Sequence, residues 1–143
     1  MKYQNGVVYY NNLVLAFKII EGLQNEGEDY YNECTNLIYV LNHRTFQLPS
    51  GKKGSIIKLA IEMHRFVAAK LLINNMNYYD SAEELLKELD LAYEYYDGLN
   101  KIEKLKAVAD EDKAYEKMLT AEKANLDAYG AIYTLLKGET RVR

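Results

Sequence analysis

Apolar positions recur with helical spacing in five segments, separated by polar or glycine-bearing punctuation. The first runs from about Gln4 to Leu23 and carries Tyr9, Tyr10, Leu13, Val14, Phe17, Ile20 and Leu23. Its opening Val7-Val8-Tyr9-Tyr10 suits the start of a strand equally well. Asn25-Glu26-Gly27 then stops it. The second spans about Glu28 to Gln47, with Tyr31, Cys34, Leu37, Ile38 and Leu41 on one stripe. Pro49-Ser50-Gly51-Lys52-Lys53-Gly54 follows, and a proline with two glycines cannot continue a helix.

The third segment, Ile56 to about Asn75, is the most apolar stretch and reads as one helix with Ser55 as its cap. Only Lys58, Glu62 and Arg65 share a clearly polar sector. A helix this apolar belongs at the centre of a bundle or under another subunit. Ser81-Ala82-Glu83-Glu84 is a capping box for the fourth helix. That helix carries Ala82, Leu85, Leu89, Tyr93, Tyr96 and Leu99; Gly98 is a point where it can bend, yet its pattern persists through Ile102 and Leu105. The last helix begins near Asp110-Glu111-Asp112, acids that suit the positive end of the helix dipole. It continues through Tyr115, Met118, Leu119, Leu126, Tyr129, Ile132, Tyr133 and Leu136, and Gly138 is expected to end it. Alternating strand patterns do not persist beyond the first ten residues. The expected fold is all-α: one domain over residues 1–143, an antiparallel four-helix bundle with an additional helix or helical extension.

Composition narrows the classes. Hydrophobic residues make up 49% of the 143, enough for a core, and charged residues 27%, so intrinsic disorder is not expected. The single cysteine, Cys34, excludes an internal disulfide and a cysteine-based zinc cluster. With only His43 and His64 as histidines, neither a metal nor another cofactor is expected. No apolar run reaches a membrane span and no cleavable signal opens the chain, so a cytoplasmic location is expected.

The formal net charge of −3 hides an uneven distribution. Residues 43–79 contain Arg44, Lys52, Lys53, Lys58, Arg65 and Lys70 against Glu62 alone, a local balance of +5. Residues 80–127 contain 14 acids and 7 bases, a balance of −7. On a continuous helix Lys58 and Arg65 would lie two turns apart, about 10 Å, on one face. That spacing suits successive phosphates, and the glycines flanking Lys52 and Lys53 permit close backbone approach. These six cations are the candidate nucleic-acid-binding residues. The alternative is a solvated loop with lysines for solubility. Gly51-Lys52-Lys53-Gly54-Ser55 lacks the preceding strand and the spacing of a nucleotide-binding loop.

Catalytic signatures are absent. A di-metal bundle needs Glu-x-x-His, but Val40 and Ile61 stand where those glutamates would be. His64, on an otherwise apolar flank, reads as a partly buried, hydrogen-bonded side chain, and Cys34 as a small core residue. No nucleophile has an evident base, so the chain is not expected to be an enzyme. Four adjacent tyrosine pairs (Tyr9-Tyr10, Tyr30-Tyr31, Tyr78-Tyr79, Tyr95-Tyr96) each place one ring inward and one at the margin, for subunit contacts or, alternatively, base stacking.

A helix ending in a proline-containing basic turn is followed by an apolar helix. Leu86-Lys87-Glu88-Leu89-Asp90-Leu91 comes next, then a closing helix with Lys113-Ala114-Tyr115-Glu116 and Tyr129-Gly130 to Gly138. This order, over roughly Tyr30 to Gly138, resembles a four-helix bundle family. That family includes the accessory variability proteins of diversity-generating retroelements and the proteins encoded in 23S rRNA intervening sequences. The resemblance implies a ring-like homo-oligomer, often a pentamer. It also implies non-catalytic binding to a reverse transcriptase and its template RNA or DNA. The alternative expectation is a helical adaptor or inhibitor, of phage or mobile-element origin, that holds a protein partner through its acidic helices without nucleic acid.

Overall fold

A computed structural model describes residues 3–4, 7–8, 17–18, 20–21, 39–75 and 80–142. At the start, β1 (Tyr3–Gln4) pairs antiparallel with β2 (Val7–Val8), so the strand option for the opening residues holds and the helix does not reach back to Gln4. Residues 17–18 and 20–21 are helical, with Phe17 and Ile20 fully buried. Most of the second expected helix, including Tyr31, Cys34, Leu37 and Ile38, lies outside the described residues, as do the first three tyrosine pairs.

The second segment is helical at residues 39–42 and ends in a turn at His43. Gln47 is therefore not helical. It belongs to β3 (Phe46–Gln47), which pairs antiparallel with β4 (Lys53–Gly54), Phe46 opposite Gly54. Two-residue strands are too short to leave an alternating pattern.

The largest departure is in the apolar third segment, which is two helices: α1 (Ile56–Glu62) and α2 (Phe66–Asn75). Neither Gly nor Pro marks the break. The N–H of Arg65 donates to the Ala60 carbonyl (2.8 Å) and that of His64 to Ile61 (3.0 Å), the paired bonds of a Schellman ending. His64 occupies the left-handed position, φ 60°, which glycine usually fills. Ser55 caps α1 as expected, accepting from the Lys58 N–H.

The fourth expected helix is likewise two, α3 (Ala82–Glu94) and α4 (Gly98–Val108). Ser81 accepts from the Glu84 N–H, as the capping box requires. Finally, α5 (Lys113–Val142) runs past Gly138 rather than ending there.

These helices pack as an all-α bundle. Helices α2, α3 and α4 pack against α5, and α1 packs against α2 and α3. The core joins Phe17, Ile20, Leu41, Ile57, Leu59, Phe66, Leu72, Leu85, Leu89, Ile132 and Leu136, all 0–2% exposed. Each such side chain contributes roughly 1.5–3 kcal/mol by leaving water. Core density falls off along the first half of α5. Tyr115 and Met118, expected inward, are 40% and 53% exposed. On α4 Leu99 is also exposed, because the break after Tyr95 turns the helix away from the register of α3.

Candidate nucleic-acid interface

The β3–β4 hairpin is built by its turn chemistry. The Gly51 N–H donates to the Leu48 carbonyl (2.9 Å) and the Leu48 N–H to the Lys52 carbonyl (2.7 Å), with Pro49 second in the turn. Gly51 has φ 92°, a conformation L side chains rarely adopt. Gly54 is tightly enclosed: a Cβ there would sit 3.0 Å from Leu48 Cδ1 and 3.1 Å from Lys58 Cδ, so both side chains would have to give by a few tenths of an ångström. Buried Phe46 and Leu48 anchor the hairpin to the core. Glu62 clasps its tip, accepting from the Ser50 N–H (3.0 Å) and hydroxyl (3.1 Å).

This scaffold divides the six candidate cations into two groups. Arg44, Lys52 and Lys53 are exposed, and among the described residues none has a carboxylate within ion-pair distance. Lys70 is half-buried on α2. Lys58 is instead tied to the start of α3, 3.3 Å from Glu84 and 3.7 Å from Asp80, with only 19% of its side chain exposed. Burial alone would lower the Lys58 pKa, but the Glu84 hydrogen bond and the charges of Asp80, Glu84 and Glu88 outweigh it and raise it. Arg65 lies 3.1 Å from Glu21. Burial raises the Glu21 carboxyl above the usual 4.5, more than the charge and hydrogen bond of Arg65 lower it. The expectation that Lys58 and Arg65 share one helical face fails: the break separates them and each turns to its own acid.

Carboxylates also stand beside the hairpin's turn. Burial raises the Glu88 pKa, and the charge and hydrogen bond of neighbouring Glu62 raise it further, while Lys58 and Lys52 pull it down. The result is a turn that carries Lys52 and Lys53 with two carboxylates beside it.

A second polar region lies where the two helix breaks face the middle of α5. His64, Arg65, Tyr96, Lys101, Glu122 and Asn125 border a cavity of about 560 Å³ there. Asn125 Oδ1 accepts from the N–H groups of Phe66 (2.9 Å) and Val67 (3.3 Å), and Nδ2 donates to the His64 carbonyl (2.8 Å). His64 is half-buried, and its Nε2 lies 2.9 Å from the Ala92 carbonyl, the satisfied histidine its sequence context predicts. Sequence reasoning passed over Asn125. Its signal was an asparagine in mid-helix, where that residue is unfavourable without a tertiary partner. Tyr96 is half-buried and Tyr95 79% exposed, one ring in and one out as expected for the pair. Among the described residues no group of His, Cys, Asp or Glu could hold a metal ion, and no helix is long and apolar enough to cross a membrane.

The chain matches no known protein family, no curated protein and no solved structure.

Proposed function

We propose that the protein is a non-catalytic accessory protein acting in the cytoplasm, which grips RNA or DNA through the β3–β4 hairpin while its helices hold a protein partner. The observation that carries this reading is the trio Arg44, just before β3, and Lys52 and Lys53 on the hairpin, all exposed and in no ion pair among the described residues, beside a turn pinned by Glu62 and a hairpin anchored by Phe46 and Leu48. A pinned backbone lowers the ordering cost of contacting phosphates. The family resemblance makes a reverse transcriptase the partner and a pentameric ring the assembly. In a ring each copy repeats the hairpin, so modest single-site grips multiply through avidity.

A gel-shift titration with single-stranded RNA and DNA tests the grip. Binding is expected at low salt, falling as salt rises, and lost when Lys52 and Lys53 are changed to Glu. Absence of binding at low salt, or binding indifferent to that change, rejects the reading. Light scattering tests the ring: a mass near 16.5 kDa contradicts it.

The second reading, a protein-binding adaptor or inhibitor without nucleic acid, draws on the exposed Leu91, Tyr95, Leu99, Tyr115 and Met118 within the acidic half. A pull-down with nuclease treatment separates the two. Nuclease dissolves a complex bridged by nucleic acid and leaves a protein-only complex intact.

A further inference from the structure

Tyr39 is 64% exposed, yet its ring is stacked. Residues 39–42 form the helical turn that precedes the hairpin, and the turn tightens as it ends. The His43 N–H donates to the Val40 carbonyl (3.3 Å) and the Arg44 N–H to the Leu41 carbonyl (3.3 Å). The Tyr39 carbonyl, which the His43 N–H would meet in a continuing helix, is thereby released. The His43 ring takes it, with Nδ1 2.8 Å from the Tyr39 oxygen. A carbonyl oxygen only accepts, so Nδ1 carries the hydrogen. The imidazole lies along the tyrosine ring, centroids 4.3 Å apart and planes 36° from parallel. Two rings one helical turn apart thus form a small stack, and both residues are exposed.

The chemistry around the stack selects its ligand. Arg44 follows His43 directly, and residues 39–54 include Arg44, Lys52 and Lys53 but no Asp or Glu. In the hairpin register Lys53 stands opposite Gln47, three residues beyond Arg44, so about 10 Å of strand separates the levels of the two cations. The stack therefore stands at one end of a cationic strip that runs to the hairpin's turn. This stretch supplies no carboxylate to hold a cationic ligand, and a neutral sugar would draw nothing from the cations. A nucleotide uses both features: its base lies on the rings and its phosphate meets the cations. An unpaired base has a face to offer, whereas bases inside a duplex are stacked on one another.

We propose that Tyr39 and His43 form a base-stacking site for single-stranded nucleic acid, continuous with the phosphate contacts of Arg44, Lys52 and Lys53. The site rests on the hairpin's proposed grip on polyanions. It adds what cations alone do not supply, a preference for unpaired bases.

The test compares two single strands of equal length, one bearing thymidine throughout and one abasic, so that the phosphates match and only the bases differ. Tyr39→Leu is expected to lower affinity for the thymidine strand about tenfold at low salt, with the slope against salt unchanged. Affinity for the abasic strand stays as it was. Tyr39→Phe, which keeps the ring, keeps the native affinity for both. NMR on the native chain gives a second reading that needs no variant. His43 and His64 are its only histidines. The His43 ring protons are expected to shift with the thymidine strand and not with the abasic one, while those of His64 stay in place. Three results overturn the stacking site and leave the hairpin grip standing: Tyr39→Leu weakening both strands equally, Tyr39→Leu keeping native affinity, or a His43 ring that responds alike to both strands. Native protein that binds neither strand at low salt removes the grip and the stacking site together.

Discussion

Two sets of cations drawn from one 37-residue basic stretch meet opposite fates. Lys52 and Lys53, on a hairpin fixed by Gly51, Pro49 and the Ser50–Glu62 clasp, and Arg44, just before it, are exposed to solvent. Lys58 on α1 and Arg65 at the break before α2 turn inward and join acids distant in sequence, Asp80 and Glu84 in one case and Glu21 in the other. Counting charges along a chain treats the two sets alike. The fold ties the second set to acids and leaves the first open to solvent. The difference lies in the exposure of each cation and the acids within its reach.

Breaking the first set gives the largest expected effect. Lys52→Glu with Lys53→Glu lowers affinity for single-stranded RNA on the order of a hundredfold at low salt, since two attractions become repulsions. Tm falls modestly, because Lys52→Glu sets a third carboxylate near Glu62 and Glu88, while Lys53 is exposed and in no ion pair among the described residues. Gel shift and thermal melting, run on the same samples, check both halves.

The second set predicts the reverse pattern. Arg65→Ala leaves half-buried Glu21 without its guanidinium and costs about 1–3 kcal/mol by urea unfolding, with affinity changed by no more than about twofold. Lys58→Ala is smaller, about 0.5–1 kcal/mol, because Glu84 is 59% exposed and screened by water. If either variant loses binding as severely as the hairpin variant, the division between the sets collapses.

A pH titration gives the smallest effect. Glu21 and Glu88 both titrate above the usual 4.5, so the fold binds their protons more tightly than the unfolded chain does. Their contribution to stability is full below 4.5 and is lost as pH rises through the raised values. Glu88→Gln cannot ionise. Its urea midpoint, compared with that of the native chain at roughly pH 4 and pH 7, is therefore expected to fall less over that interval.

Legibility in the sequence followed the range of the interactions involved. The Ser81 cap, the Ser55 cap and the inward stripe Leu85, Leu89, Ile132 and Leu136 rest on local spacing, and the structure has them where the pattern puts them. At the break the Phe66 and Val67 amides and the His64 carbonyl bond to Asn125, 58 to 61 residues away, and no local residue announces it. Loss of helical phase at Tyr95 carried Leu99 to the surface despite its sustained apolar pattern. Continuation of α5 past Gly138 reflects glycine's modest cost inside a long packed helix, about 1 kcal/mol against alanine. For the candidate interface, the basic residues themselves were legible. Which of them would be claimed by Glu21, Asp80 and Glu84 was not, since that depends on helices meeting across 22 to 44 positions of sequence.

The central claim is that the hairpin cations, and not the helical ones, meet nucleic acid. It is tested most directly by the salt dependence of binding to a labelled single-stranded RNA, measured for the native chain, for Lys52→Ala with Lys53→Ala, and for Lys58→Ala with Arg65→Ala. The account predicts that the hairpin pair shallows the log–log slope by about 1.4, two phosphate contacts' worth on a single strand, while the helical pair leaves it unchanged. Equal slopes for the native chain and the hairpin variant, or a slope lost only with Lys58 and Arg65, would contradict it.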